Sequence, residues 1–379
     1  MALNASGKLS VGGLVTGESI ELELGMSGTA VASLNDDNFR ALANVSSGTI
    51  SIDTFHGRQS TWAKRTNSFA GVGGWSDVSV SSTGQYIIMV SNDGWVVVST
   101  DYGRTWSTQS DNTSGVSFYK CYVTDDGNWI YMLGSVDNTR RLWRNTYSGY
   151  ITLGLYSDVY TFSTLAIGFA AAKNYTPYPA LFVSTDFSGP WGSERSYVYK
   201  STDNGASWST IYNVSSIVSG NRFINATCSD DGNRIAVSNF NGTVYHYTTN
   251  GGSSWSTAAT TGANFFGIKT DSSGSKLIMC GDDGLWYSSF GGAAGNFDGN
   301  QVSHGVAYML SRDGSTIYAG YSASLSSIKK ATSFSIYGAG WSNVYYPSST
   351  GYGLVGCSAN GSFVVATAGQ NNGAIYTSV

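Results

Sequence analysis

A chain of 379 residues with 48 glycines, 14% aromatic and only 12% charged side chains is not a disordered polymer, which needs high charge and few aromatics. Its formal net charge of -4 lacks the basic excess of a nucleic-acid-binding surface. No apolar run approaches the roughly 20 residues of a membrane helix, and Met1-Ala2-Leu3-Asn4 lacks the charged and apolar regions of a signal peptide, so neither nucleic acid nor membrane insertion is expected.

Residues 1–60 read as a small α+β module. Ser19-Ile20-Glu21-Leu22-Glu23-Leu24 alternates polar and apolar, the pattern of a half-exposed strand. Asn35-Asp36-Asp37 marks a helix start, where carboxylates are favoured. The helix runs through Phe39, Leu42 and Ala43, ends at Ser46-Ser47-Gly48, and is followed by a strand at Thr49-Ile50-Ser51-Ile52. So short a segment buries little core alone. Ile20, Leu22, Leu24, Phe39 and Leu42 are therefore candidate docking residues that need a partner or further copies. The runs Gly17-Glu18-Ser19-Ile20-Glu21-Leu22-Glu23-Leu24-Gly25, Ser33-Leu34-Asn35-Asp36, Ser47-Gly48-Thr49-Ile50-Ser51 and Phe55-His56-Gly57-Arg58 resemble N-terminal modules of tailed-bacteriophage structural proteins, including cyanophage ones. The resemblance implies a virion component whose N-terminal piece anchors to the particle while the rest projects.

From residue 61 to 379 a different pattern takes over. Asp77-Val78-Ser79-Val80 alternates, Ser82-Thr83-Gly84 turns, and Tyr86-Ile87-Ile88-Met89-Val90 is continuously apolar, as a strand packed on both faces should be. Asn92-Asp93-Gly94 is a hairpin signal before Trp95-Val96-Val97-Val98. Next comes Ser99-Thr100-Asp101-Tyr102-Gly103-Arg104-Thr105-Trp106, with a fourth strand beginning near Trp106.

That last motif, Ser-x-Asp-x-Gly-x-x-Trp, recurs at Ser201, Asp203, Gly205 and Trp208, and with Asn for Asp at Thr248, Asn250, Gly252 and Trp255. Decayed copies start at Asn145 and Ser288, giving steps of 46, 56, 47 and 40 residues; further copies are due near Thr332 and Thr377. A second marker, a turn glycine after a polar pair, falls at Gly84, Gly127, Gly232, Gly274, Gly314 and Gly361, with one copy missing between 127 and 232. Both series give seven repeats of about four strands each, which predicts an all-β, seven-bladed β-propeller. The chain stops where the last copy is due, while Ser60-Thr61-Trp62-Ala63 looks like the piece that follows the other copies. The segment ahead of blade one should therefore supply the last blade's outer strand and close the ring.

The motif resembles the Asp box of bacterial-neuraminidase-repeat propellers, found in sialidases, some glucan hydrolases and sortilin-like domains. Its work is structural: the Asp accepts turn N–H bonds, the Gly takes positive φ, and the Trp packs between sheets. The sialidase pattern itself is absent, with seven repeats for six, no Arg-Ile-Pro, and Glu194 as the single Glu beyond residue 60. Two placed carboxylates are what a glycosidase needs. Most aspartates occupy turn positions, and His56, His246 and His304 share no metal spacing. Cys121, Cys228, Cys280 and Cys357 show no CxxC spacing and read as buried thiols. No enzyme, metal or cofactor is expected.

Binding residues are sought instead in the longest repeat, the third. Its two loops offer Tyr175 and Tyr178, and Trp191, Glu194 and Arg195. The expectation is a virion protein, assembled in the host cytoplasm and homo-oligomeric in the particle, that contacts other virion proteins through residues 1–60. Its propeller would be part of a tail, fibre or baseplate and bind host-surface polysaccharide. Alternatives are a decoration, neck or baseplate protein whose propeller binds virion neighbours, and a glycan hydrolase.

Overall fold

The computed structural model describes residues 62–66, 74–110, 115–146, 157–162, 166–185, 195–215, 222–240, 244–260, 265–281, 284–292, 295–296, 307–320, 328–332, 341–345, 352–368 and 375–378. The docking residues Ile20, Leu22, Leu24, Phe39 and Leu42, and Trp191 and Glu194 of the third repeat, lie outside them.

Seven four-stranded antiparallel sheets succeed one another along the chain, and in six of them strand order follows sequence order. The blades span 75–110, 116–162, 166–215, 222–259, 265–296, 307–345 and 352–378. The seventh takes its outer strand from Trp62–Thr66, which pairs with the strand Ile375–Ser378 in the register Trp62↔Ser378, Ala63↔Thr377 and Lys64↔Tyr376. The predicted closure is thus present, and Arg65 Nε adds a 2.7 Å bond to Thr377 Oγ1.

Adjacent blades share the core. One cluster joins Ile88, Val90 and Val98 of blade one to Phe118, Val123 and Met132 of blade two. Similar shared clusters follow around the ring to the contact of Phe363, Val365 and Ile375 with Ile87, Met89 and Val97, which joins blade seven to blade one. Second strands are therefore buried on both sides, as in Ile87–Ser91, where every residue is buried. That explains a continuous apolar run where a sandwich strand would alternate.

The innermost strands carry a feature with no sequence signature. In blades one to five and seven the register against the second strand slips once, between Trp75/Asp77, Phe118/Lys120, Ala166/Gly168, Phe223/Asn225, Phe265/Gly267 and Tyr352/Leu354. A bulge bends a strand and raises its twist, and here it recurs at one height of the channel that these strands line.

Candidate functional site

The hairpin joining the first two strands of a blade is built the same way six times. In blade six the Ser311 N–H donates to the Thr316 carbonyl at 2.8 Å, and the Gly314 N–H donates to the Ser311 carbonyl at 2.9 Å. The Ser311 hydroxyl donates to Asp313 Oδ1 at 2.6 Å and accepts the Thr316 N–H at 2.9 Å. The six turn glycines have φ between 65° and 89°, a region that L side chains enter only at a cost. Asp126, Asp231 and Asp313 are consumed by these turns. Partial burial opposes their charged forms, but bonds from neighbouring hydroxyls and N–H groups outweigh it and hold all three below the ordinary carboxylate value.

The hairpin tips are stitched to one another around the channel mouth. Asp230 N–H donates to Ser272 O at 2.8 Å, Ser272 N–H to Arg312 O at 2.6 Å, Asp313 N–H to Ala359 O at 2.9 Å and Ala359 N–H to Ser82 O at 2.9 Å. The Ser82 N–H then donates to Asp125 Oδ1 at 2.7 Å. Blade three, which lacks the marker, closes the ring differently. Its Asn174 N–H donates to Asp230 O at 2.8 Å, and Lys173 Nζ reaches Asp125 Oδ1 at 2.6 Å. Every blade is tied into this collar.

The Ser-x-Asp-x-Gly-x-x-Trp segments form the hairpins between third and fourth strands. Asp101 Oδ1 accepts from Ser99 Oγ at 2.8 Å and from the Thr105 N–H at 2.9 Å, and Oδ2 accepts from Thr105 Oγ1 at 2.6 Å. The Gly103 N–H donates to Ser99 Oγ at 2.9 Å, and Trp106 Nε1 donates to Gly103 O at 2.9 Å. Ser201, Asp203, Gly205, Ser207 and Trp208 repeat these bonds within the same distances. The third copy departs from them. Asn250 Oδ1 still accepts from Thr248 Oγ1 and the Ser254 N–H, and the Gly252 N–H still donates to Thr248 Oγ1. Trp255 Nε1, however, bonds Ile211 O of blade three at 3.1 Å while its ring stacks on Tyr212 at 4.4 Å.

Asp203 is lowered to about 2, chiefly by the Ser207 hydroxyl and N–H; Asp101 is also lowered, its turn bonds outweighing partial burial. Asp101→Ala, which strands three donors, should lower stability by about 1–2 kcal/mol and leave ligand binding intact in protein that stays folded. Asp203→Ala should cost less, because its carboxylate is exposed. Thermal melting checks both, and an unchanged melting temperature for Asp101→Ala would contradict the structural role.

The innermost strands of all seven blades meet around a cavity of about 100 Å³. Four cations line it: Lys120, Lys173, Lys269 and Arg312. Three are paired, Lys173 with Asp125, Arg312 with Asp230, and Lys120 with Asp77 at 3.8 Å. The Cys121 N–H holds Asp77 Oδ2 at 2.9 Å. The ammonium of Lys269, from blade five, has no hydrogen bond or ion pair among the described residues. Burial lowers its pKa, opposed by Asp77 and aided by Lys120. Burial also pushes Cys228 and Cys357 up to about 12 and Cys121 well above its ordinary value, so these three channel thiols stay protonated at neutral pH. All four cysteines are free and buried.

The residues singled out in the third repeat do not converge. Tyr175 and Tyr178 lie in the hairpin between strands Ala166–Ala172 and Ala180–Thr185, whereas Arg195 opens the strand Arg195–Ser201 at the opposite end of the blade. A six-residue strand separates them, roughly 20 Å at the usual rise per residue. Nor do the tyrosines project. Tyr175 is half-buried over Gly232 of blade four, and Tyr178 sets its ring edge-on to Trp129 of blade two at 5.8 Å. Arg195 is exposed and donates to Asn213 Oδ1 at 2.9 Å. Sequence reasoning missed the channel cations. The signal that could have found Lys269 is its place two residues before the hairpin, where other blades have Ser79, Tyr122, Thr227 and Met309.

No protein-family model matches the chain, and no curated protein is similar to it. Among solved structures, YCF48 from Cyanidioschyzon merolae is similar with a TM-score of 0.60 over 84% of this chain and 98% of that one. The chain is a seven-bladed β-propeller. At 12% identity the likeness extends to fold alone, and what the propeller does rests on its own residues.

Proposed function

We propose that this protein is a structural component of a tailed-bacteriophage virion, attached through residues 1–60, whose Asp-box propeller binds host-surface polysaccharide without cleaving it. The observation that supports the absence of cleavage is the state of the aspartates. Asp101, Asp126, Asp203, Asp231 and Asp313 each hold a turn together and have lowered pKa values. A glycosidase acid needs the reverse, a carboxyl kept protonated near neutral pH. The virion setting is supported by the resemblance of residues 17–58 to phage structural modules, and by the alternating Ile20, Leu22 and Leu24, a sequence pattern whose apolar side so short a segment would not cover alone. Copies of the module would bury those faces against one another or against a particle ring, giving a symmetric homo-oligomer. Assembly would take place in the host cytoplasm.

The attachment claim is tested by expressing two truncations during infection. Residues 1–60 should join particles, and residues 59–379 should fold and stay unattached. Incorporation of the propeller alone would move the particle contact onto a propeller face and favour a decoration, neck or baseplate role.

A further inference from the structure

We propose that the axial channel is a binding site for a small monocarboxylate, held by the ammonium groups of Lys269 and Lys120. Lys269 comes from blade five and lines the channel together with Asp77 of blade one, Lys120 and Cys121 of blade two and Cys357 of blade seven, all within its electrostatic reach. Two ammoniums there share one carboxylate. Asp77 is 3.8 Å from Lys120 and anchored by the Cys121 N–H, while the Lys269 ammonium has no hydrogen bond or ion pair among the described residues. The remaining channel cations are already spent on Asp125 and Asp230.

Among the described residues one positive charge is left over in the partly open channel. Lys269 is half-buried; a partly desolvated charge without a counter-ion is costly, and a bound anion relieves that cost directly. The three channel thiols do not supply it, since burial keeps them protonated.

The cavity sets the ligand class. About 100 Å³ is room for roughly three waters, so an ion of a few heavy atoms fits and a sugar ring does not. Val78, Ala170, Ala226, Met309 and Leu310 supply apolar wall beside the charges, suited to a short hydrocarbon tail. A dianion would add a second negative charge against Asp77, whereas a monoanion matches the surplus. This site is independent of any polysaccharide contact on the outside of the ring.

The test replaces chloride by acetate at constant ionic strength and follows the melting of the full chain. The wild type should gain melting temperature saturably, as a ligand that binds only the folded state requires. Lys269→Met should melt above the wild type in acetate-free buffer and show no gain with acetate, and Lys269→Arg should keep the response. Carbon-13-labelled acetate gives a reading independent of variants: its line should broaden on the wild-type protein and sharpen when propionate competes. An unbroadened line, an equal acetate response in Lys269→Met, or the same saturation with chloride alone would overturn the proposal.

Discussion

A chain beginning at residue 67 should fail to fold cooperatively, whereas one beginning at residue 59 should melt as a single unit. The difference is the strand Trp62–Thr66, which completes blade seven by pairing with Ile375–Ser378. Four residue pairs are registered across that seam, and their backbone bonds are worth roughly 2–6 kcal/mol together at the usual net value per bond. The larger effect is topological. This strand carries the covalent link from blade seven's sheet to blade one. Without it blade seven keeps three strands and an unpaired edge, and the shared cluster of Phe363, Val365 and Ile375 with Ile87, Met89 and Val97 must hold the ring shut unaided. An open edge of that kind is also a template for aggregation. Denaturant unfolding of the two truncations is the measurement, and matching midpoints would show that the seam contributes nothing.

Acid should destabilise the protein in two stages, and the first belongs to His246. Its ring is 4% exposed, Nδ1 lies 3.0 Å from the Tyr212 hydroxyl, and Phe223 sits edge-on at 5.1 Å. Burial lowers its pKa from 6.5 to about 4, so the folded state binds fewer protons than the unfolded chain between those values. Stability is therefore full above about pH 6.5 and falls as pH drops towards 4, by about 3 kcal/mol in all. Asp101, Asp126, Asp203, Asp231 and Asp313 act later. Their folded values are depressed, so their contribution is present above the ordinary carboxylate range and is lost as pH falls through it, towards about 2 for Asp203. His246→Phe should remove the first stage and leave the second. A midpoint in urea that stays constant from pH 7 to 4.5 in the wild type would refute the assignment.

The ring could be read from glycines because a positive φ leaves few alternatives. Gly84, Gly127, Gly232, Gly274, Gly314 and Gly361 mark six hairpins, and the gap between the second and third marks blade three, where Lys173 and Asn174 take over. Closure was legible from a missing piece at one end and a matching piece before blade one. The channel was not. Asp77, Lys120, Lys269 and Arg312 come from different blades, so no local spacing links them and only the assembled ring brings them together. The placement of Tyr175 and Tyr178 was not legible either. A loop longer than its counterparts reads as projecting, but here the extra residues fill the space over Gly232 and against Trp129. Gly103 shows how partial legibility works: its φ of +72° is implied by the motif, whereas the Thr377 methyl that would meet an added Cβ at 2.6 Å belongs to blade seven.

If the propeller binds polysaccharide without turning it over, as proposed, both properties are readable on one set of samples. Purified residues 59–379 should be incubated with host envelope polysaccharide, and co-sedimentation and released reducing ends measured on the same samples. The expected result is saturable co-sedimentation with no release of sugar, unchanged in Glu194→Gln. Release of sugar that disappears in Glu194→Gln would contradict it and make the protein a hydrolase.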